Sequence, residues 1–213
     1  MQPNQQVLKT LAAVADWAIA RAHSVRFALA ETTDERRAIY RLRYQTVIER
    51  GWAQPADYPD GIERDDDDDA ALHIMGLEGD LLVACARLIL PSGVKLLPTE
   101  RIFGVRVEPC GKVVDLGRQI VARSHSSMQH ILFGALLGRC WLEAQARGYY
   151  HVCGDFTPSM IRLYHLLGLS VSTLGPARQY FGEERIPIAQ DVVSAVTTLA
   201  ARYLKEVSYL EDV

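Results

Sequence analysis

Three arginines, Arg43, Arg87 and Arg118, stand far apart in a chain whose densest acidic stretch, Glu63-Arg-Asp65-Asp-Asp-Asp68-Asp69, could supply matching carboxylates. Arginine binds carboxylates bidentately, so Arg43, Arg87 and Arg118 with Asp65 and Asp68 form a potential charge cluster. Such a cluster could recognise a small molecule bearing a carboxylate and an amine. It could equally be a structural network pinning the acidic loop over the fold, because ionic groups at depth need partners. Arg43 and Arg87 lean to the structural role and Arg118 to recognition. Trp52 reads as an anchor for the loop after Gly51, with a pocket wall as the alternative. Other chemistries lack their residues. There is no GxGxxG after a strand, no GxxxxGK[ST] and no HExxH, and no GxSxG for a nucleophile elbow. The six histidines are dispersed. The aspartate run Asp65–Asp69 lacks the central glycine and closing glutamate of a calcium loop, so no metal is expected.

The elements that must position these residues follow from periodicity and punctuation. Apolar residues at positions 7, 8, 11, 14, 15, 18 and 19 predict an N-terminal amphipathic helix over Val7–Ala22. Val25–Ala30 reads as a strand, and Thr32 with Glu35 is a capping box opening a helix to about Arg50. Ala71–Leu77 and Leu81–Leu90 flank Glu78-Gly79-Asp80 as a hairpin. Val113–Ala122 is a strand. Ser126 or Ser127 is expected to cap a helix running through Gln145 and closed by Arg147-Gly148. Tyr150–Cys153 is a strand, Pro158–Leu167 a helix and Leu169–Thr173 a strand. An irregular segment to Pro187 then precedes a final helix, Ala189–Lys205. An antiparallel front half joined to a β-α-β-α-β back half predicts an α/β fold with one mixed, mostly antiparallel sheet flanked by helices. With no linker in view, 1–213 reads as a single domain with helix 1–24 packed on it.

The 213 residues are 49% apolar and 23% charged, enough for a sizeable core. No secretory signal or membrane-length apolar run is present. Four cysteines without a CxxC pair read as free thiols in a reducing cytoplasm. The net charge of −3 argues against nucleic-acid binding. Charge is unevenly spread. Residues 57–69 hold eight acids and one arginine, whereas 118–185 hold seven arginines and four acids. A basic face of that kind could receive an acidic protein partner.

Two sets of residues carry a resemblance. Tyr164-His-Leu-Leu-Gly168-Leu169, a helix end before a strand, resembles the Tyr-x-x-x-Gly-Phe signature of the GCN5-related acyltransferase superfamily. Arg43, Trp52, Glu63-x-Asp65-x-x-Asp68, Arg87 and Asp115-Leu-Gly-Arg118 follow the order and spacing of the acyl-homoserine-lactone synthases and the related long-chain N-acyl amino acid synthases. Asp115 replaces the family's glutamate, and Val47 stands where an aromatic is usual. The N-terminal helix and Arg87–Ile89 with Leu97-Pro-Thr-Glu100 fit the amino acid synthase branch, which is linked to natural product biosynthesis and to quorum-sensing-like signals.

The resemblance implies a direct thioester aminolysis. An acyl group would pass from the phosphopantetheine thioester of an acyl carrier protein, a co-substrate rather than a bound cofactor, to the α-amine of an amino acid such as an aromatic one. Asp115 would take a proton from that amine, whose pKa is near ~8, and Tyr164 would protonate the departing thiolate. Backbone amides at Arg118–Ile120 would hold the oxyanion. Gln119, Ile120, Val121, Arg123, Ser126 and Ser127 would bind the acyl-pantetheine arm. An apolar tunnel between helix Ile131–Leu142 and strand Val152–Phe156 would take the chain. Users of coenzyme A carry glycines in the turn after this strand, where Ser126 and Met128 stand here, which favours a carrier-protein donor. The alternatives are a homoserine-lactone synthase using S-adenosylmethionine, an acetyl-coenzyme A enzyme, and a non-catalytic carrier-docking or ligand-binding module.

Overall fold

The computed structural model describes residues 3–207. The helices are α1 (Gln5–Ala20), α2 (Thr33–Glu49), α3 (Pro98–Phe103), α4 (Gln129–Ala146), α5 (Pro158–Leu167) and α6 (Val192–Val207). The strands are β1 (Arg26–Leu29), β2 (Leu72–Glu78), β3 (Leu81–Ile89), β4 (Val113–Val121), β5 (His151–Phe156), β6 (Ser172–Thr173), β7 (Arg178–Tyr180) and β8 (Glu183–Asp191). The sheet runs β1-β2-β3-β4-β5-β8-β6, with β7 paired to β8. Every pair is antiparallel except β4–β5. The predicted mixed sheet with an added N-terminal helix is therefore the observed fold. Among the described residues, no helix is long and apolar enough to cross a membrane.

Helices cover both faces of the central strands, which is why β3 reads as a nearly continuous apolar run, broken only by Arg87, rather than an alternating one. On one face, α4 lays Leu132, Leu136 and Trp141 over Ile74, Leu88 and Val114. On the other, α2 buries Ile39, Tyr40 and Leu42 against Met75, Cys85 and Ile120. The capping box starts α2 as expected: the Glu35 amide donates to Thr32 Oγ1 at 3.2 Å, and the Thr32 amide donates to Glu35 Oε2 at 2.9 Å.

Helix α1 is held by close approach. It packs against α4 and α6 and buries Leu11, Val14 and Ala15. A Cβ at Gly138 of α4 would lie 3.0 Å from the Ala15 carbonyl oxygen, so glycine at this point brings the two backbones together.

Four details differ from the sequence reading. The turn Arg123–Met128 is a 3-10 segment, and α4 begins after Met128 with no side-chain cap, rather than at Ser126 or Ser127. The Pro- and Gly-rich stretch before β4 contains α3, opened by Pro98 and closed by Gly104 in the left-handed region (φ 67°). The strand expected at Leu169–Thr173 shrinks to Ser172–Thr173. The segment expected to be irregular forms β7 and β8, so the last helix starts at Val192 rather than Ala189. Pro187 suggests a break, yet it sits within β8 opposite Asp155, and its carbonyl accepts a hydrogen bond from the Leu174 amide at 2.9 Å.

If Gly138 is what lets α1 dock, Gly138→Leu should lower the unfolding free energy by about 1–3 kcal/mol through overpacking. Gly134 lies four residues earlier on the same helix, and a Cβ there would meet no atom within 4 Å. It should accept alanine with a gain of up to about 1 kcal/mol. Urea unfolding of both variants checks the contrast, and equal midpoints would contradict it.

Candidate active site

The site forms where two strands part. β4 and β5 pair in parallel only over Val113–Asp115 and His151–Cys153. Beyond that fork β4 continues to Val121 and β5 to Phe156. Gly154 marks the branch point, since a Cβ there would sit 2.7 Å from the Leu116 carbonyl oxygen. Across β4, the register to β3 passes from Cys85↔Ile120 to Arg87↔Gly117, so two residues, Arg118 and Gln119, face the single Ala86. This is a β-bulge, which re-aims a side chain and reverses the alternation beyond it. Leu116 accordingly joins the core under α4, whereas Ile120 joins the one under α2. Arg118 carries the bulge in the left-handed region (φ 53°), a conformation costing a non-glycine residue roughly 1–2 kcal/mol.

The acidic loop holds Arg118 in that pose. Its guanidinium donates to Glu63 Oε1 (3.2 and 3.3 Å) and to Asp65 Oδ2 (3.2 Å). Arg43, fully buried on α2, pairs with Glu63 and donates to Asp68 at 2.7 and 3.1 Å. Arg87 on β3 reaches Asp65 at 2.6 Å and Asp68 at 3.0 Å. Arg101 of α3 donates to Asp67 at 2.6 Å. Asp66 and Asp69 face outward. Burial works against charge on Asp68, but the hydrogen bonds and charges of Arg43 and Arg87 outweigh it and hold its carboxyl well below the usual carboxylate range. His73, buried beside this network, is pushed down by desolvation and stays neutral.

Past the fork lies a cavity of about 410 Å³. One side is the exposed edge of β4 from Leu116 to Val121, and the other is Asp155 and Phe156 of β5 with Thr157. Phe133 of α4 with Met160 and Leu163 of α5 adds an apolar wall. The β7–β8 hairpin contributes Tyr180, Phe181, Glu183 and Arg185. Its two-residue turn, Phe181-Gly182, has both φ angles positive (53° and 71°), as the tight hairpin turn matched to strand twist requires. Phe181 tolerates this pose between Arg118, whose guanidinium is 4.3 Å from its ring, and the Trp52 ring at 6.1 Å. Arg50 and Arg185 lie over Trp52 at 4.9 and 5.2 Å.

The residues expected to do chemistry are distributed unevenly around this cavity. Arg118, Trp52, Gln119, Ile120 and Val121 line it, and the Gln119 side-chain nitrogen is buried with no hydrogen-bond partner among the described residues. Arg43, Asp65, Asp68 and Arg87 do not line it; they form the network behind it. Arg123, Ser126 and Ser127 lie on the 3-10 turn outside the lining, where α4 instead presents Gln129 and His130. Only Phe133 of the helix Ile131–Leu142 lines the cavity, together with Phe156 of β5.

The two groups expected to move protons lie behind the cavity rather than in its lining. Asp115 lies outside the lining and is buried, its Oδ2 accepting from the Thr99 amide at 2.7 Å and from the Cys153 thiol at 3.6 Å. Desolvation pushes its carboxyl up. Tyr164 is 1% exposed and sits behind the wall, its ring tilted against Phe156 at 4.6 Å and near Phe133 at 6.3 Å, its hydroxyl without a hydrogen-bond partner among the described residues. Burial pushes the phenol far up. The pattern Tyr164-to-Gly168 has a structural reason. Gly168 caps α5 in the left-handed region (φ 80°), and the Leu169 amide donates back to the Tyr164 carbonyl at 2.8 Å.

The sequence reading passed over Arg50, Asp155, Tyr180, Phe181 and Arg185. A signal for three of them was present: Arg178–Arg185 holds Phe181-Gly182 between short polar-apolar runs, a hairpin pattern. Asp155 carried no such signal, because a lone acid in a short apolar strand gains meaning only from the fork.

No protein-family model and no curated protein matches this sequence. Solved structures do. The chain is similar to TofI in a ternary complex with an inhibitor and MTA, at 20% identity and a TM-score of 0.63, over 81% of this chain and 96% of that one. It is similar to BjaI, a CoA-dependent acyl-homoserine lactone synthase with SAM and isopentyl-CoA, at 22% identity and a TM-score of 0.61 over 87% and 85%. It is also similar to FeeM, an N-acyl amino acid synthase from uncultured soil microbes, at 17% identity and a TM-score of 0.62 over 84% and 97%. The chain thus has the fold shared by these structures, as the ordered motifs had suggested.

The buried network makes a stability prediction. Asp68 has a depressed folded-state pKa, so its contribution is present above the unfolded value near ~3.9 and is lost as pH falls. Asp68→Asn should therefore cost about 3–5 kcal/mol at pH 7, the typical penalty for removing one partner of a buried pair. Urea titrations at pH 7 and pH 3 should show the gap between wild type and variant narrowing at the lower pH. A gap of constant size would contradict the assignment.

Proposed function

We propose that the protein is an N-acyltransferase that moves a long acyl chain from a carrier-protein thioester to the α-amine of an amino acid by direct aminolysis. The observation that carries this reading is the β4–β5 fork, which opens the backbone edge Leu116–Val121 into a cavity with one apolar wall and one charged, aromatic wall. An extended acyl-pantetheine arm would add to the free edge of β4 much as a peptide adds to a sheet edge. The unpartnered Gln119 amide is a ready donor to it. The acyl chain fits against Phe133, Phe156, Met160 and Leu163. Amides near the Arg118 bulge would receive the oxyanion of the tetrahedral intermediate, a contact typically worth a few kcal/mol.

The acceptor belongs at the charged wall. Arg118 is committed to Glu63 and Asp65, and Arg185 to Asp155 and Glu183. Arg50 lines the cavity, stacks on Trp52 and has no ion-pair partner among the described residues, so it is the guanidinium left to bind the α-carboxylate. Trp52 and Phe181 offer faces for an aromatic side chain. The serine-rich turn at Arg123–Met128 lacks the glycines of a pyrophosphate cradle, which supports a carrier protein over free coenzyme A. The fold shared with FeeM, an N-acyl amino acid synthase, supports the acceptor class. A second reading has its own support. The same aromatic wall could hold the sulfonium of S-adenosylmethionine through cation–π contact, and BjaI is a synthase with SAM bound.

Purified protein supplied with a long-chain acyl carrier protein, the twenty amino acids and S-adenosylmethionine should yield an N-acyl amino acid, read by mass spectrometry, with stoichiometric thiol release. An acyl lactone with methylthioadenosine would select the second reading, and no acylated product would leave a binding module. Arg50→Met should raise the KM for the amino acid by about 10-fold or more, the loss of one charged hydrogen bond, with little change in kcat. An unchanged KM would remove Arg50 from acceptor binding.

A further inference from the structure

We infer that Asp155 is the proton acceptor for the attacking amine, with Arg185 as its positioning residue. This rests on the acyltransferase reading above. Three acids line the cavity, and their partners separate them. Glu63 is clamped between Arg43 and Arg118 and is 2% exposed, so both its oxygens are spent. Glu183 lies toward the hairpin turn and pairs with Arg185 at 3.2 Å. Asp155 stands one residue past Gly154, which faces Leu116 at the point where β5 leaves β4, and it lines the cavity there. Its Oδ1 accepts from Arg185 at 3.3 Å, and its side chain keeps 19% of its surface open. Oδ2 has no hydrogen bond among the described residues. A thioester lying along the freed edge of β4 would put its carbonyl carbon between that edge and this oxygen.

The charges around Asp155 suit the task. Arg185 from β8, Arg118 from β4 and Arg87 from β3 favour the carboxylate, while burial and the neighbouring Asp115 oppose it. Burial prevails, and the carboxyl is pushed above its ordinary value, which makes its carboxylate a stronger base than that of an exposed aspartate. The neutral amine nitrogen attacks the thioester carbon, forming the C–N bond. Asp155 Oδ2 takes the proton that the nitrogen must lose. The C–S bond then breaks, and the same carboxyl returns the proton to the departing sulfur, so one thioester and one amine give one amide and one thiol. A single carboxyl thus does the work expected of both Asp115 and Tyr164.

The test compares wild type, Asp155→Asn, Asp155→Glu and Arg185→Met across pH, with a carrier-protein thioester and the amino acid that wild type acylates. The expected result is a kcat at least 100-fold lower in Asp155→Asn with donor KM unchanged, and partial recovery in Asp155→Glu. Wild-type kcat should fall on the acidic side with a pKa above the usual carboxylate range, and Arg185→Met should move that limb upward, because removing a cation disfavours the carboxylate. Asp155→Asn with undiminished kcat overturns the assignment while leaving the acyltransferase reading intact. Equal losses in Asp155→Asn and Arg185→Met with an unmoved acidic limb also overturn it, since Asp155 would then serve only to hold Arg185. A wild type that acylates no amine overturns the reading and the assignment together.

Discussion

The pairing of Glu63, Asp65 and Asp68 with Arg43, Arg87 and Arg118 decides where the acidic loop lies and, through it, how β4 is shaped. Arg43 is anchored in α2, Arg87 in β3 and Arg118 in β4, so the loop ties three elements at once. The spacing Glu-x-Asp-x-x-Asp turns these three carboxylates inward while Asp66 and Asp69 remain in solvent. Removing three guanidiniums from water is costly, and the network repays this only because each finds charged acceptors with good geometry. Arg118 gains most. Its ion pairs to Glu63 and Asp65 help hold a non-glycine residue in the left-handed conformation that carries the bulge.

The bulge and the fork are two parts of one device. Parallel pairing stops after Asp115, Gly154 permits the last close contact, and the extra residue at Arg118–Gln119 rotates the remainder of β4. The result is a strand edge whose amides and carbonyls are left for a ligand. The hairpin β7–β8 closes the other side, its strained Phe181 wedged between Arg118 and Trp52. The network that shapes the strand therefore also seats the wall opposite. In this arrangement the buried ions act at one remove from the chemistry, by holding the surfaces that would do it.

Much of this was legible in the residues. The capping box at Thr32, the hairpin around Gly79 and the helix closed by Gly168 appear where their local signals put them, because each is decided within a few residues. The pinning role favoured for Arg43 and Arg87 agrees with their burial. What escaped depends on contacts distant in sequence. The bulge in β4 cannot be seen in Val113–Val121 itself, since it arises from loop carboxylates some fifty residues earlier. Pro187 argues for a break, but the strand tolerates it because its carbonyl remains available to Leu174. Asp115 and Tyr164 stand out by position in a pattern, and the fold buries both, Asp115 accepting from the Thr99 amide of α3 and Tyr164 packed on Phe156. Asp155, inconspicuous in sequence, faces the cavity only because the strands diverge beside it.

The central claim is that the fork receives an acyl-pantetheine thioester with its carbonyl beside Asp155. A crystal structure with a non-hydrolysable amide analogue of acyl-phosphopantetheine tests it most directly. The account predicts the arm lying between β4 and β5, hydrogen-bonded to the Leu116–Val121 edge, with its carbonyl next to Asp155 and its chain against Phe133 and Phe156. An analogue bound elsewhere, or a fork closed by strand pairing beyond Asp115, would contradict it.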